Sequence, residues 1–371
     1  MPNKAEAEPD RPAPGLVDAE PSGGQPASTQ MAREIAEQPE ALERTLTALL
    51  PRRAEIAALA AGRRRILFLA RGSSDNAAVY ARYLAEIHAG IPASLAAASV
   101  ATLYHAQLDL SDTLVVCVSQ SGSTEEIVEA QQWARQAGAA TIAVTNFADS
   151  PLAGGADIAL VTRAGLERAV PATKSYTTQV AALAVAVDAL APHAGTLDRE
   201  FAAVPAEAER MLVPTEDLEA IVAGLAGTQE VLASGRGLAF GTTLEVALKL
   251  EETCLRPVRG LSYADLKHGP IAIVDHDLVT LLVAGPEGPT LPGLVELAGT
   301  LKATGSPVFG IGGNADFRGA CDLSVPGPQL SEKLAPLALI IPPQLITERL
   351  ALRLGLDPDA PRGLNKVTQT D

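Results

Sequence analysis

Aromatic residues are scarce in this chain: one Trp, five Tyr and six Phe among 371 residues. Alanine, leucine and valine abound instead, which suits an α/β protein packed with small aliphatic side chains. Cysteine is nearly absent. Cys117, Cys254 and Cys321 lie far apart in apolar segments and are odd in number. That excludes a disulfide framework or a metal cluster and leaves buried free thiols. Basic charge is short too, since 29 Lys and Arg against 44 Asp and Glu leave a formal charge of −15. No basic stripe is present, so nucleic acid and anionic membranes are disfavoured as partners. No uncharged apolar run reaches the ~20 residues of a membrane span. The first residues, Met1-Pro2-Asn3-Lys4-Ala5-Glu6, lack the apolar centre of a signal peptide. A reducing, cytoplasmic compartment is the expectation.

The chain is long enough for two domains of ordinary size. Its most informative run is Ser119-Gln120-Ser121-Gly122-Ser123-Thr124. The run separates an apolar, β-branched stretch (113–118) from a helical one (124–137). A helix N-terminus offers unpaired N–H groups and roughly half a positive charge. Ser119, Ser121, Ser123 and Thr124 add hydroxyl donors, and Gly122 lets backbone approach a ligand. The guest that fits is a phosphate, held without arginine and without metal. A phosphorylated small molecule follows as the ligand.

Residues 1–28 are rich in Pro, Ala, Gly, Ser and acidic groups and read as a disordered tail. Helical stretches follow over 30–50 and 53–61. Two blocks then share one layout. The first has strands at 65–70, 113–118, 140–145 and 157–161, with helices reaching 89 and 137 and a long apolar one over 173–190. The second has strands at 230–234, 278–284 and 307–311, with helices over 242–255 and 294–303. Strands alternating with helices through glycine-bearing turns predict doubly wound parallel sheets, twice. The segments 140–144 and 157–161 match 306–310 and 322–325 in pattern and spacing, as duplication would give. Where the first block has its hydroxyl run, the second has Ala284-Gly285-Pro286-Glu287-Gly288-Pro289. Its hydroxyls are gone and prolines remove N–H groups, so the phosphate is placed in the first block only.

Ionisable groups are denser in the second block. Glu245, Lys249 and Glu252 succeed one another at i, i+4 and i+7 and share a helix face. On spacing alone this is a solvated salt-bridge stripe. His268 precedes a Gly-Pro turn, where functional residues concentrate. Asp359-Ala360-Pro361-Arg362-Gly363-Leu364-Asn365-Lys366 is a polar tail that by itself reads as disordered.

Together these segments resemble the sugar isomerase (SIS) family in its double-domain form. The chain is similar to the isomerase half of glutamine–fructose-6-phosphate aminotransferases and to stand-alone SIS-type glucosamine-6-phosphate deaminases. The resemblance runs from about Met31 to the C-terminus. It rests on Arg71-Gly72-Ser73-Ser74, the run 119–124, Pro171-Ala172-Thr173-Lys174-Ser175-Tyr176-Thr177-Thr178-Gln179, Leu244-Glu245-Val246-Ala247-Leu248-Lys249-Leu250-Glu251-Glu252, Leu266-Lys267-His268-Gly269-Pro270 and Pro361-Arg362-Gly363-Leu364-Asn365-Lys366. It implies two flavodoxin-like α/β domains in tandem, over 29–205 and 206–350, with a tail (351–371) closing the active site. By the same resemblance Ser119, Gln120, Ser121 and Thr124 hold a sugar phosphate, with Ser73 or Ser74 helping. Glu252 matches the general base between C1 and C2. His268 matches the ring-opening histidine, which the family supplies across a dimer interface, so a homodimer with shared sites is implied. Lys366 matches a lysine near the sugar carbonyl that assists ring opening or forms a Schiff base. Such aldose–ketose chemistry needs a poised carboxylate and a proton shuttle but no metal or other cofactor.

Ala172 stands where the family has a serine, which removes one sugar contact, and Ser123 and Ser175 also replace residues common in the aminotransferases. No glutamine-hydrolysing domain precedes Met31, so the expected reaction is catabolic: an amino-sugar 6-phosphate, glucosamine 6-phosphate first, gives a ketose 6-phosphate and ammonia. The alternatives within the enzyme class are a fructosamine-6-phosphate deglycase and a deaminase or isomerase of galactosamine or tagatose phosphate. A sugar-phosphate-sensing regulator would want a DNA-binding element, and residues 1–60 show no basic recognition helix. A dinucleotide-binding oxidoreductase would want G-x-G-x-x-G, but Gly235-Arg236-Gly237 meets its next glycine one residue late, at Gly241.

Overall fold

The computed structural model describes residues 28–366. The tail expected over 1–28 therefore lies outside the described residues apart from Ser28, as does the chain beyond Lys366.

Five strands make the first sheet: β1 (Arg65–Leu69), β2 (Ala93–Leu95), β3 (Thr113–Val118), β4 (Ala140–Thr145) and β5 (Ile158–Val161). Five make the second: β6 (Glu230–Gly235), β7 (Val258–Ser262), β8 (Leu278–Ala284), β9 (Val308–Gly312) and β10 (Leu323–Val325). The spatial orders are β2-β1-β3-β4-β5 and β7-β6-β8-β9-β10, and every neighbouring pair is parallel. Counted from the start of each block, both orders are 2-1-3-4-5, the flavodoxin-like order. The repeat read in the residues is thus a repeat of topology.

Strands β3, β4 and β8 are buried at every residue. Helices cover both faces of a parallel sheet, so such strands are continuously apolar instead of alternating. Strands β2 and β7 escaped the sequence reading. Both are edge strands, short or largely half-exposed, and carry no apolar run to mark them.

Four helices position the site: α1 (Ser73–Leu84) after β1, α2 (Glu125–Gln136) after β3, α3 (Lys174–Asp188) after β5, and α4 (Phe240–Cys254) after β6. Helix α3 is buried at all of its residues and packs against α1 and against the N-terminal helix Gln38–Leu49. One apolar core runs through both blocks, from Leu114 and Ile142 in the first sheet to Val279 and Leu281 in the second. The boundaries expected at 205/206 and 350/351 fall inside the helices Asp198–Met211 and Ile341–Arg353.

The blocks meet where α1 crosses α4. The contact is close because residue 241 is glycine: a Cβ there would stand 2.5 Å from the Asn76 backbone oxygen. Gly241→Ala must therefore push two helices apart, and overpacking of this kind costs about 1–3 kcal/mol. Thermal unfolding should report that loss. Turnover should fall with it, because Asn76 and α4 both serve the site.

Candidate active site

In a 2-1-3-4-5 sheet the strand order reverses between the first and third strands, which opens a crevice at their carboxyl ends. Here the turns after β1 and β3 flank one cavity of about 340 Å³. Its lining combines those turns with α4 and the C-terminal tail, which the sequence separates widely.

The β3 turn holds its shape through its own side chains. Gly122 N–H donates to Ser119 Oγ (3.2 Å), and Ser119 Oγ lies 3.4 Å from Thr124 Oγ1. Gly122 takes φ +62°, and a Cβ would stand 2.2 Å from Ser150 Oγ. Only glycine meets both conditions. Thr124 is the N-cap residue of α2, yet its hydroxyl makes no cap bond to the helix, so it remains oriented within the turn. Ser119, Gln120, Ser121 and Thr124 all line the cavity.

From the β1 turn, Ser73 and Ser74 line it too. Ser73 Oγ accepts from Lys249 Nζ (3.1 Å), whereas Ser74 Oγ donates to Gln179 Oε1 of α3 (3.0 Å). Arg71, which the sequence reading gave no role at the phosphate, also lines the cavity. Its guanidinium is turned onto Glu126, with Nη2 at 2.7 Å from Oε1 and Nε at 3.1 Å from Oε2.

Helix α4 brings Lys249 and Glu252 to the same wall. Lys249 Nζ lies 2.5 Å from Glu252 Oε2 and 3.5 Å from Glu245 Oε1. The solvated stripe suggested by spacing is not what forms. Glu245 and Lys249 are buried, and Glu252, with a quarter of its side chain exposed, is the carboxylate that reaches the opening. Burial pushes the Glu245 carboxyl up, against the pull of Lys249 and the Asn76 amide. Burial alone would lower the Lys249 ammonium, but the charges of Glu245 and Glu252 outweigh it and the net shift is upward. Lys249 is therefore a fixed cation beside the carboxylate that faces the cavity.

The C-terminal tail is ordered over the described residues. Asp359 accepts the backbone N–H groups of Gln30 and Met31 (2.8 and 2.7 Å), and its carbonyl accepts from Val170 N–H (2.8 Å). That doubling back brings Leu364, Asn365 and Lys366 to the cavity. Lys366 Nζ donates to Glu167 Oε2 (2.5 Å) and to the Ala169 carbonyl (2.7 Å). Glu167, which the sequence reading missed, has a fully buried side chain. It also accepts from Thr173 N–H and from the N–H and hydroxyl of Ser175. Burial raises its carboxyl, but Lys366 and these donors outweigh burial and hold it below the usual range. Ala172 lines the cavity as a bare methyl.

His268 stands apart from the other expected catalytic residues. It is exposed at the end of the short helix Tyr263–Lys267 and does not line the cavity of its own chain.

In the second sheet a carboxylate of the chain itself lies between the corresponding turns. The Glu332 carboxylate presses against the turn after β8, where a Cβ at Gly288 would stand 2.1 Å from its Oε2. Its Oε1 also lies 3.6 Å from a Cβ position at Gly237, in the turn after β6. A carboxylate there opposes a second anion.

The family model described as "SIS domain" matches residues 60–189. A glutamine–fructose-6-phosphate aminotransferase (isomerizing) from Thermococcus kodakarensis is 33% identical over 344 residues, covering 91% of this chain and 57% of the relative. The chain thus spans a little over half the length of the curated relatives it matches. A solved structure from Silicibacter pomeroyi DSS-3, provisionally assigned as a phosphosugar isomerase, is 31% identical with a TM-score of 0.81, over 90% of this chain and all of that one. The C-terminal domain of the glucosamine-fructose-6-phosphate aminotransferase from Francisella tularensis aligns at 26% identity and a TM-score of 0.84, covering 92% of this chain and all of that domain. No helix among the described residues is long and apolar enough to cross a membrane.

Proposed function

This chain belongs to the SIS domain family, and from that premise we propose that it is a phosphosugar isomerase that deaminates glucosamine 6-phosphate to fructose 6-phosphate and ammonia. One observation carries the reading. A single cavity presents a hydroxyl-rich turn at a helix N-terminus together with the Glu252–Lys249 pair and Lys366. An anion receptor and a proton-transfer carboxylate in one small space suit a substrate with a phosphate at one end and a carbonyl at the other.

The 6-phosphate occupies the turn of Ser119, Gln120, Ser121 and Thr124 at the N-terminus of α2. The C1–C2 end of the open sugar then meets Glu252. In the aldehyde form, the hydrogen on C2 is acidified by the neighbouring carbonyl. Glu252 takes that proton, giving the 1,2-enolamine, and the return of a proton to C1 leaves an imine at C2. Water adds to C2, the C–N bond breaks, and ammonia and the ketone of fructose 6-phosphate result. Lys366, paired with the buried Glu167 carboxylate, serves as a cation that polarises the C1 oxygen and not as an amine nucleophile. A second copy of the chain supplies His268 for ring opening, so the working unit is a homodimer.

The amino-sugar substrate is favoured by similarity to enzymes named for aminating fructose 6-phosphate. At low free ammonia, mass action runs the same proton transfer toward release. The test is turnover of glucosamine 6-phosphate by purified protein, with ammonia and fructose 6-phosphate followed in parallel. Equal yields of both are expected; no ammonia at saturating substrate would overturn the assignment.

A further inference from the structure

We propose that Arg71 is a positioning residue of the phosphate site, which acts by neutralising Glu126 so that a phosphate dianion can dock at the same helix end. The proposal rests on the phosphosugar reading above and adds a determinant of substrate class to it.

Glu126 is the second residue of α2, and only 7% of its side chain is exposed. It sits in the first turn of the helix whose positive end is to receive the phosphate. A carboxylate there benefits from the helix dipole but spends the same field the substrate needs. Glu126 does not itself line the cavity, but left unopposed it would put a like charge on the helix end that meets the incoming dianion. The structure supplies the opposing charge from the other lip of the crevice. Arg71 reaches from the β1 turn and grips both Glu126 oxygens in a fork. Its third nitrogen, Nη1, donates to the Ala70 carbonyl at 3.3 Å, which ties the guanidinium to the end of its own strand. The charge of Arg71 is thereby committed to Glu126 while its side chain forms part of the cavity wall. The pair also links the turns after β1 and β3, the two sides between which the sugar phosphate would lie.

The experiment is calorimetric titration of inorganic phosphate into wild type, Arg71→Met, Glu126→Gln and the double variant. Arg71→Met should weaken phosphate binding by about tenfold; with 43% of the arginine side chain exposed, solvent screening keeps the effect from being larger. Glu126→Gln should stay within about threefold of wild type. The double variant should return to within about threefold of Glu126→Gln, because the charge that Arg71 answers is gone. A double variant as weak as Arg71→Met would overturn the proposal, since the guanidinium would then be acting on phosphate directly. Unchanged binding in Arg71→Met would overturn it as well. Should Arg71→Met fail to fold, the double variant against Glu126→Gln still decides: phosphate affinities within about threefold of each other are expected, and a much weaker double variant would overturn the proposal. In turnover, the Arg71→Met effect belongs in KM with kcat preserved. Wild type that takes no phosphate would remove the site reading and this proposal together. Phosphate binding without ammonia release would remove only the deaminase assignment.

Discussion

Glu252→Gln is expected to lower kcat for fructose 6-phosphate formation by about 10²–10⁴, the range a positioned general base contributes, while phosphate affinity stays near wild type. The substitution is almost isosteric and removes only the proton-accepting oxygen. The fold should tolerate it, since buried Lys249 keeps Glu245 as a counter-charge 3.5 Å away and Ser73 as an acceptor. That separation distinguishes a base from a structural anion. The sharper readout is exchange of the C2 hydrogen of glucosamine 6-phosphate with deuterated water, which should vanish in the variant even where binding is intact. Exchange at the wild-type rate would remove Glu252 from the mechanism.

Lys366→Met should have the second large effect, on turnover and stability together. It takes away both the cation at the sugar carbonyl and the counter-charge of Glu167. Breaking a buried pair by removing one partner costs roughly 3–5 kcal/mol. The loss here should lie at or below the low end of that range, because Lys366 is 24% exposed and Glu167 keeps its bonds to Thr173 and Ser175. The pH dependence has a definite sign. The Glu167 carboxyl is held below its usual range in the folded protein, so its contribution is complete above the unfolded glutamate value near ~4.3. It is lost as pH falls from there through the lower folded value. Without Lys366 the opposing pull on the buried carboxyl is gone and its value moves up, so the stability lost on acidification should shrink or reverse, because protonation then relieves a buried charge. Adding Glu167→Gln to Lys366→Met should recover most of the stability and none of the activity. Thermal unfolding from about pH 3 to 8 beside kcat would test both halves. A variant with full turnover would return the tail to the role of a passive end.

The Glu245–Lys249–Glu252 spacing illustrates the limit of sequence reading. Their shared helix face follows from 3.6-residue geometry, but geometry does not say whether that face meets water or protein. The answer depends on Gly241, which lets α4 approach the Asn76 backbone closely, so that Asn76 Nδ2 donates to Glu245 at 2.8 Å. Glu167 had no comparable signal, because it lies in an irregular segment between β5 and α3 with no periodicity. Arg71 was within a quoted motif, but its partner is 55 positions away. The resemblance named His268, yet a single chain leaves it outside the cavity.

Local chemistry settled what was local. Apolar runs ending in glycine and hydroxyls determined β3, its turn and α2; the repeated pattern determined two sheets; small aliphatic composition determined how their cores are filled. Each of these depends on neighbours in sequence, where backbone geometry and hydrophobic period act directly. The cavity depends on contacts between distant segments. Only the docking of two sheets through α1 and α4, with the tail doubled back beneath Val170, brings Ser119, Glu252 and Lys366 to one space and buries Glu167 between them. Burial and charge pairing are properties of that packing, so the chemistry of the site was decided by the tertiary structure.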